Sequence, residues 1–225
     1  MSDSLNIVTI DGPSGVGKST IARKLAKALG YTYLDTGAMY RAMAYAIAQK
    51  GIDSSNVKAI EDLVNTIQLT MLPPENPDDD VHVLINGTDV SPFLRTPETS
   101  MLASVISAIP AVRERLTKLQ QEIGAQGRIV VEGRDTGTVV FPQARWKFYL
   151  DAEPEERARR RTEQLRKQGM DVNESDILAQ IIARDQQDKQ RSIAPLRAAD
   201  DAIRIDSTNM TADQVVAEML AHIKQ

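Results

Sequence analysis

The pattern of hydrophobic and polar positions alternates between short β-branched runs and longer amphipathic segments. Four runs predict buried strands and a weaker run predicts a fifth: residues 5–10, 128–132, 146–151 and 202–206, with 31–34 as the fifth. Helical spacing covers most of the intervening chain: residues 18–29, 38–50, 57–67, 97–124, 155–168, 175–191 and 212–223. Strands that alternate with helices form a parallel sheet covered on both faces. We therefore predict an α/β fold with a five-stranded parallel sheet flanked by helices.

The alternation is interrupted between residues 68 and 97. Residues 68–72 and 81–85 have the spacing of half-buried strands, and Asn86-Gly87 after them is typical of a hairpin turn. The proline-rich and acidic segment 73–80 between them predicts a solvated loop tip, because adjacent carboxylates in a turn do not converge on one metal ion. We predict a small β-rich insertion over about residues 68–101, within a single domain that covers residues 1–225.

Composition and charge narrow the class of protein. Of the 225 residues, 42% are hydrophobic and 26% are charged, which is ordinary for a globular domain. The chain has no cysteine, no apolar run of about 18 residues and no secretory signal pattern in its polar first residues. Its formal net charge of −4 provides no general attraction to nucleic acid or to an anionic membrane. We expect a cytoplasmic monomer with small-molecule substrates and no nucleic-acid or membrane partner.

A glycine-rich loop follows the first predicted strand and precedes a helical segment. Residues 12–19 match the pattern G-x-x-x-x-G-K-[ST], in which glycines let backbone N–H groups approach phosphate oxygens. Lys18 is expected to reach the β- and γ-phosphates of a nucleoside triphosphate, and the Ser19 hydroxyl to ligate Mg²⁺. The predicted ATP-binding residues are Gly12, Pro13, Ser14, Gly15, Val16, Gly17, Lys18, Ser19 and Thr20. The N-K-x-D motif of GTPases is missing from the sequence, which favours a small-molecule kinase.

Two polar clusters follow predicted strands, at the sheet edge where open α/β sheets bind ligands. The first cluster contains Asp35 and Thr36, either of which caps the next helix. Capping gives no reason for Arg41 in the same cluster, which is placed to meet an anion. The second cluster contains Arg134 and Asp135, and its alternative interpretation is a turn with a local ion pair.

Two charged clusters lie on predicted helices. Arg184, Asp188 and Arg191 fall at positions i, i+4 and i+7 on one face, which indicates either a site or a solvated salt-bridge face. The run Glu-Glu-Arg-Ala-Arg-Arg-Arg at residues 155–161 is typical of a nucleic-acid patch or of a solvated face. The negative total charge argues against the nucleic-acid interpretation.

Together the motifs resemble those of the bacterial-type cytidylate kinases, which are P-loop nucleoside-monophosphate kinases, over nearly the whole chain. The matching segments stand in family order: residues 11–19, 35–41 and 133–142, Arg184-Asp185 with Asp188 and Arg191, and Ala194-Pro195. The resemblance implies a P-loop kinase fold with a short lid over about residues 154–169. It also implies transfer of the γ-phosphoryl group of ATP, with Mg²⁺, to CMP or dCMP.

The resemblance implies roles for individual residues. The implied CMP-binding residues are Thr36, Tyr40, Arg41, Ser104, Arg113, Arg134, Asp135, Arg184, Asp188 and Arg191. Of these, Arg41 and Arg134 would hold the acceptor phosphate, while Arg184 and Asp188 would meet the sugar and phosphate. The lid arginines that would close over the ATP phosphates are Arg157, Arg160 and Arg161. The implied catalytic residues are Lys18, Arg134, Arg157, Arg161 and Arg191.

Two other functions remain open for this sequence. A kinase for another small phosphate acceptor, such as UMP, would share the phosphate loop. A P-loop ATP-binding regulator would transfer nothing, and it would have no use for a second anion site such as the one expected around Arg41, Arg134 and Asp135.

Overall fold

The computed structural model of the protein describes residues 6–76, 79–167 and 169–224. The strands are β1 (Ile7–Asp11), β2 (Thr32–Asp35), β3 (Leu69–Leu72), β4 (His82–Ile85), β5 (Thr88–Asp89), β6 (Ile129–Gly133), β7 (Trp146–Asp151) and β8 (Ile203–Asp206). The helices are α1 (Lys18–Leu29), α2 (Thr36–Gln49), α3 (Val57–Thr66), α4 (Pro97–Ile106), α5 (Pro110–Gly124), α6 (Pro154–Lys167), α7 (Glu174–Gln190) and α8 (Ala212–Ile223). One sheet has the order β2-β6-β1-β7-β8 with every pairing parallel. The predicted five-stranded parallel sheet is confirmed.

A few predicted features lie outside the described residues. They are the start of the first strand at Leu5 with the polar segment before it, the tip residues Pro77 and Asp78, and the helix end at Gln168. Within the part of the chain that the structure describes, no helix combines the length and the apolar character needed to cross a membrane.

Helices cover both faces of the parallel sheet. Along β6, Ile129 and Val131 belong to a core shared with α2 and α5, while Val130 between them belongs to a core shared with α1 and α8. This alternation follows from the two-residue period of a strand. Since all five strands run the same way, their carboxyl ends share one edge. The loop after β1, the start of α2 and the segment after β6 therefore meet there.

The single helix predicted over residues 97–124 is wrong, because the structure has two helices in that range. The first ends at Ile106 and the second begins at Pro110. Proline has no N–H group and disfavours the helical conformation of the residue before it. Ile109 is accordingly extended, with φ −82° and ψ 121°. The Ser107 N–H still donates to the Ala103 carbonyl, but the break between α4 and α5 leaves the Ser107 carbonyl outside the helical hydrogen bonding.

The interruption between α3 and α4 forms a second, antiparallel sheet of β3, β4 and β5. Asn86 and Gly87 connect β4 to β5 with φ values of 50° and 82°, the left-handed conformation that a tight hairpin turn requires. Phe93 stacks on Tyr45 of α2 at 5.4 Å between ring centres, which attaches this segment to the core. The predicted β-rich hairpin is confirmed.

Asp80, at the end of the predicted solvated tip, forms ion pairs with the rest of the protein instead of standing free in solvent. Its carboxylate forms ion pairs with Arg23 of α1 and with Arg95, the latter at 2.6 Å. Arg95 Nη2 also lies 3.6 Å from a carboxylate oxygen of Asp35. The end of the tip is therefore joined by charge to α1 and to the end of β2.

Candidate active site

A cleft of about 830 Å³ opens beside the loop that follows β1, the start of α2 and the segment after β6. Its lining includes six acidic residues and eleven basic ones, an excess of five positive charges. The basic residues are Lys18, Arg23, Arg41, Arg95, Arg113, Arg134, Arg159, Arg160, Arg161, Arg184 and Arg191. Because the whole chain has a net charge of −4, positive charge is concentrated in this cleft. Such a cleft suits a polyanionic ligand.

The phosphate loop turns sharply from β1 into α1. A Cβ atom on Gly12 would lie 2.1 Å from the carbonyl oxygen of Leu150, so only glycine fits there. Gly17 precedes α1 in the left-handed conformation with φ 95°. Lys18 is buried, and its Nζ donates to the carbonyl oxygens of Gly12 at 2.8 Å and Pro13 at 2.6 Å. Burial lowers the pKa of Lys18 well below its ordinary value, and a bound anion would favour the charged form.

Asp11, at the end of β1, joins the phosphate loop to the segment after β6. Its Oδ1 accepts hydrogen bonds from the Thr136 N–H at 2.9 Å and hydroxyl at 2.8 Å, and its Oδ2 accepts from the Gly137 N–H at 2.7 Å. Burial raises the pKa of Asp11 to about 6 even though these hydrogen bonds favour the ionised form. The contact fixes Arg134 and Asp135, which directly precede Thr136, relative to the loop.

Glu132 places a buried carboxylate at the end of β6, beside the phosphate loop. The hydroxyl group of Tyr33 donates a hydrogen bond to it, and the nearby hydroxyl of Ser19 lowers its pKa. Burial and the nearby Asp35 raise the pKa of Glu132, while the charge of Lys18 opposes the shift. A hydroxyl and a carboxylate beside a phosphate site are oxygen ligands of the kind that Mg²⁺ prefers. Ser19 and Glu132 therefore fit the predicted ion.

Three arginines from different elements reach the cleft beside the loop. Arg41 of α2 donates to Asp35 at 3.0 Å, and Arg134 after β6 donates through Nε to Asp188 at 2.9 Å. The pKa of Arg184 on α7 is lowered to about 10. Burial is the main cause and the positive charge of Arg134 is the second. Within the described residues, the buried Nε atoms of Arg41 and Arg184 find no hydrogen-bond partner. These donors are available to an anionic ligand.

A second group of polar residues forms a pocket between α2, α5 and the segment after β6. Arg113 of α5 and Asp135 form a buried ion pair. The guanidinium carbon of Arg113 also lies 5.8 Å from the centre of the Tyr40 ring, over its face. Ser104 donates to Asp188 at 3.2 Å. Burial raises the pKa of Asp135, and the charge of Arg113 opposes that shift. The pocket thus presents an acceptor and a donor group side by side.

Ser107, for which the sequence predicted no role, organises this pocket. Its carbonyl oxygen accepts from Nη1 of Arg113 at 3.1 Å, and its hydroxyl accepts from Nη1 of Arg191 at 2.9 Å. The same hydroxyl donates to the carbonyl of Ser104 at 2.7 Å. The break between α4 and α5 makes the Ser107 carbonyl available, and the one signal of this break in the sequence is Pro110.

Arg157 lies outside the cleft, although the resemblance implied a contact with ATP phosphates. Its side chain is 5% exposed and pairs with Asp185. Its Nη1 donates to the carbonyl oxygen of Ser14 and its Nε to that of Ala152, both at 2.9 Å. In this structure its guanidinium contacts protein atoms of the phosphate loop.

Arg160 and Arg161 line the cleft. Arg160 donates to the carbonyl oxygen of Ser207 at 2.7 Å, in the loop between β8 and α8. Burial lowers the pKa of Arg161, and the positive charges of Arg95 and Arg41 lower it further. Arg161 is therefore close enough to those two arginines to be repelled by them, and a shared anion would relieve this repulsion.

Most of the predicted site residues lie around the one cleft. All ten residues predicted to bind CMP line it, as do residues 14–20 of the phosphate loop. Gly12 and Pro13 at the start of the loop do not line the cleft, and Arg157 is the predicted catalytic residue outside the lining. Thr36 donates to the Glu132 carbonyl at 2.7 Å, which holds it at the cleft wall. The individual roles stay predictions.

Comparison with known proteins gives consistent similarities over the full chain. The sequence profile of the family described as Cytidylate kinase matches residues 8–225. A cytidylate kinase of Vibrio parahaemolyticus is 45% identical over 224 residues, which cover 100% of this chain and 98% of that protein. A cytidylate kinase of Syntrophotalea carbinolica is 47% identical over 214 residues, 95% of this chain and 90% of that protein.

A solved structure of an uncharacterized protein from Eubacterium ventriosum is similar in fold. It aligns with a TM-score of 0.51 over 97% of both chains, at 13% sequence identity. At this identity the likeness concerns the fold alone.

Proposed function

The chain belongs to the cytidylate kinase family, whose members are ATP-dependent phosphotransferases, and we propose that it transfers the γ-phosphoryl group of ATP to CMP or dCMP. The products are ADP and CDP or dCDP. One observation carries the proposal: a single cleft joins a phosphate-binding loop to a pocket that contains the buried ion pair of Arg113 and Asp135. A regulator that only bound ATP would have no use for that pocket.

The polar groups of the pocket match cytosine better than uracil. Cytosine presents an amino donor at position 4 and acceptors at N3 and O2, whereas uracil presents an acceptor at position 4 and a donor at N3. An ionised carboxylate only accepts hydrogen bonds and arginine only donates them. Asp135 would therefore accept from the 4-amino group, as carboxylates do from cytosine in DNA. Arg113 or Arg191 would donate to N3 or O2.

The phosphates of both substrates would lie among the remaining basic residues. Lys18 and the backbone N–H groups of the loop would hold the β- and γ-phosphates of ATP. Arg41 and Arg134 would hold the phosphate of CMP, with Arg184 beside them. These side chains come from α1, α2, α7 and the segment after β6, so they would surround the transferring group with positive charge.

Mg²⁺ belongs to the ATP site in this proposal. Magnesium is usually bound through one or two protein groups together with phosphate oxygens. The Ser19 hydroxyl would hold the ion directly, and the neighbouring carboxylate of Glu132 would orient the coordination shell of the ion. When bound, the ion neutralises charge on the β- and γ-phosphates.

The protein needs to do little covalent chemistry. A phosphate oxygen of CMP attacks the γ-phosphorus as the bond to the bridging oxygen of ADP breaks. The attacking phosphate oxygen of CMP is already ionised at neutral pH, so no general base is required. Catalysis then comes from positioning the two phosphates in line and from stabilising the charge on the transferring group. Arg161, on the predicted lid of about residues 154–169, lines the cleft and would add to this stabilisation.

We also propose that one chain is sufficient for the reaction. One chain supplies the phosphate loop, all ten predicted CMP-binding residues, and lining residues from both the insertion of about residues 68–101 and the lid. A monomer with ATP and CMP as its small-molecule substrates would therefore need no residue from a second copy.

An assay of ADP release with a panel of nucleoside monophosphates tests the proposal. CMP and dCMP should support turnover in the presence of ATP and Mg²⁺. Each mismatched buried polar group costs roughly 1–3 kcal/mol, so kcat/KM for UMP should be at least about a hundredfold lower. Comparable turnover with UMP or AMP would show that the acceptor assignment is wrong. ADP release that no monophosphate stimulates would contradict the kinase function itself.

A further inference from the structure

Arg157 of α6 and Asp185 of α7 hold Ser14 of the phosphate loop through its backbone N–H and carbonyl groups. The N–H of Ser14 donates to Oδ1 of Asp185 at 3.0 Å, and its carbonyl oxygen accepts from Nη1 of Arg157 at 2.9 Å. Arg157 and Asp185 are themselves paired, with 2.5 Å between Nη1 and Oδ2. The three residues form a closed ring of hydrogen bonds.

This ring contacts the loop from outside the cleft. Ser14 lines the cleft, whereas Arg157 and Asp185 do not, and their side chains are only 5% and 8% exposed. A Cβ atom on Gly15 would lie 3.3 Å from Ile181 and 3.4 Å from Arg157, so the loop rests directly on α6 and α7. In this structure both charged side chains contact Ser14 and each other and do not line the cleft.

The helix that carries Asp185 also carries residues of the acceptor side. Arg184 precedes Asp185 and lines the cleft. Asp188, about one helical turn further on, accepts hydrogen bonds from Arg134 at 2.9 Å and from Ser104 at 3.2 Å. One short stretch of α7 is thus bonded to the donor loop through one carboxylate and to the acceptor residues through another.

We propose that Asp185 and Arg157 are positioning residues, which fix Ser14 and hence the phosphate loop in the geometry that binds the ATP phosphates, at a set distance from the acceptor residues of α7. This role refines the proposed function. The part that concerns the acceptor residues rests on the proposal that CMP or dCMP is the acceptor. With the ring intact the loop is ordered before ATP arrives. Without it, part of the interaction with ATP is used to order Ser14 and the residues after it, which weakens ATP binding.

Asp185→Asn is the first test of this inference. The substitution keeps the size of the side chain and removes the charge that pairs with Arg157. Calorimetric titration should show that a non-hydrolysable ATP analogue with Mg²⁺ binds about tenfold or more weakly, the effect of losing a hydrogen bond to a charged group. The affinity for CMP should stay within about twofold, because Arg184 and Asp188 are untouched.

A double variant separates positioning from folding. Asp185→Asn leaves the buried Arg157 without its ion-pair partner and is expected to destabilise the fold. Arg157→Met with Asp185→Leu removes both charges of this buried pair. If positioning is the role, the double variant melts close to the wild type and still binds the ATP analogue about tenfold or more weakly. Wild-type affinity for the analogue in a folded double variant would overturn the inference. So would equal losses of affinity for the analogue and for CMP.

Asp201→Asn serves as the matched control, because Asp201 pairs with the buried Lys147 and does not line the cleft. It should leave both affinities unchanged. The unaltered protein is titrated with CMP first. If it fails to bind CMP, the proposed function fails, while the ATP titrations of the variants still decide whether Asp185 and Arg157 position the loop.

Discussion

The hydroxyl group of Ser107 lies 2.9 Å from Nη1 of Arg191, a residue 84 positions further along the chain. Ser107 stands where α4 has ended and α5 has not begun, and Arg191 directly follows the last residue of α7. Their contact joins two helices at the base pocket. It fixes the orientation of a guanidinium group that the proposed function uses to read cytosine.

Ser107→Ala should therefore reduce specificity more than stability. Loss of the hydroxyl removes one of the two hydrogen bonds that hold Arg191, the other being to the Ala194 carbonyl, and a hydrogen bond to a charged group is worth roughly 1.5–3 kcal/mol. We expect kcat/KM for CMP to fall by about tenfold or more, with KM for ATP unchanged and a smaller CMP/UMP ratio. Steady-state kinetics with both acceptors measure this. Ser100→Ala, on α4 and also in the cleft lining, is the control and should behave like wild type. An unchanged CMP/UMP ratio in Ser107→Ala would contradict this role.

Lys18→Ala should abolish most of the activity without unfolding the protein. Its Nζ now contacts only carbonyl oxygens of Gly12 and Pro13 among the contacts the structure describes. It lies where the ATP phosphates are proposed to bind. Loss of a positioned charge at such a site lowers turnover by about a hundredfold or more. Turnover numbers and circular dichroism measure the two effects, with the exposed Lys58→Ala as the control. Near-normal turnover in Lys18→Ala would refute the mechanism.

Asp135→Ala should lose activity with CMP and lose specificity together. The variant removes the acceptor proposed for the 4-amino group of cytosine, and it leaves Arg113 without its partner in the buried ion pair. We expect the CMP/UMP ratio of kcat/KM to shrink from at least about a hundredfold towards unity. Specificity constants for CMP, dCMP, UMP and AMP on both proteins measure this. A ratio that stays high while both rates fall would mean that Asp135 does not read the base.

The stability of the protein should depend on the ionisation of Asp11. Burial raises the pKa of this carboxyl from 3.8 to about 6, so the folded state binds its proton more tightly than the unfolded chain does. The contribution of Asp11 to stability is then fully present below pH 3.8 and is lost as the pH rises through about 6. The free energy of unfolding of wild type relative to Asp11→Asn should fall by about 2–3 kcal/mol between about pH 4 and pH 7. Urea unfolding across this range tests it, and a constant difference would contradict the shift.

Nucleotide binding should order the two segments that border the cleft. The insertion meets the core through Asp80, Arg23 and Arg95, and α6 brings Arg161 to the same cleft. Anions bound between these segments would draw them together, as closing segments do in enzymes of this kind. We expect slower hydrogen exchange in residues 79–97 and 158–167 with an ATP analogue and CMP. Residues 57–66 of α3, which do not line the cleft, are the control. Unchanged exchange at full occupancy would argue against closure.

Local chemistry explains what the sequence predicted well. The five parallel strands follow from short apolar runs, and the hairpin follows from Asn86-Gly87, because both signals depend on neighbouring residues. The start of α2 is equally local, since Asp35 accepts from the Ala38 N–H at 2.8 Å. The same holds for the phosphate loop, whose spacing predicted residues 14–20 at the cleft that they line.

Contacts between distant residues explain what the sequence missed. Ser14 and Asp185 are 171 positions apart, and Ser104 and Asp188 are 84 apart. Nothing in the charge of Asp185 distinguishes it from Asp188, and only the packing of α7 sends one carboxylate behind the loop and the other into the cleft. Arg157 and Arg161 are four residues apart and share one face of α6, so only the packing around the helix places one under the loop and the other in the cleft.

The concentration of positive charge in the cleft has a consequence for the rate at which nucleotides arrive. A molecule with a net charge of −4 and an excess of five positive charges around one opening has a strongly asymmetric electric field. Most of its outer surface repels nucleotides, and the opening attracts them. Fields of this kind raise association rates by roughly ten- to a thousandfold and are weakened by dissolved salt. Capture of ATP and CMP should therefore slow steeply as ionic strength increases, well before their final bound positions change.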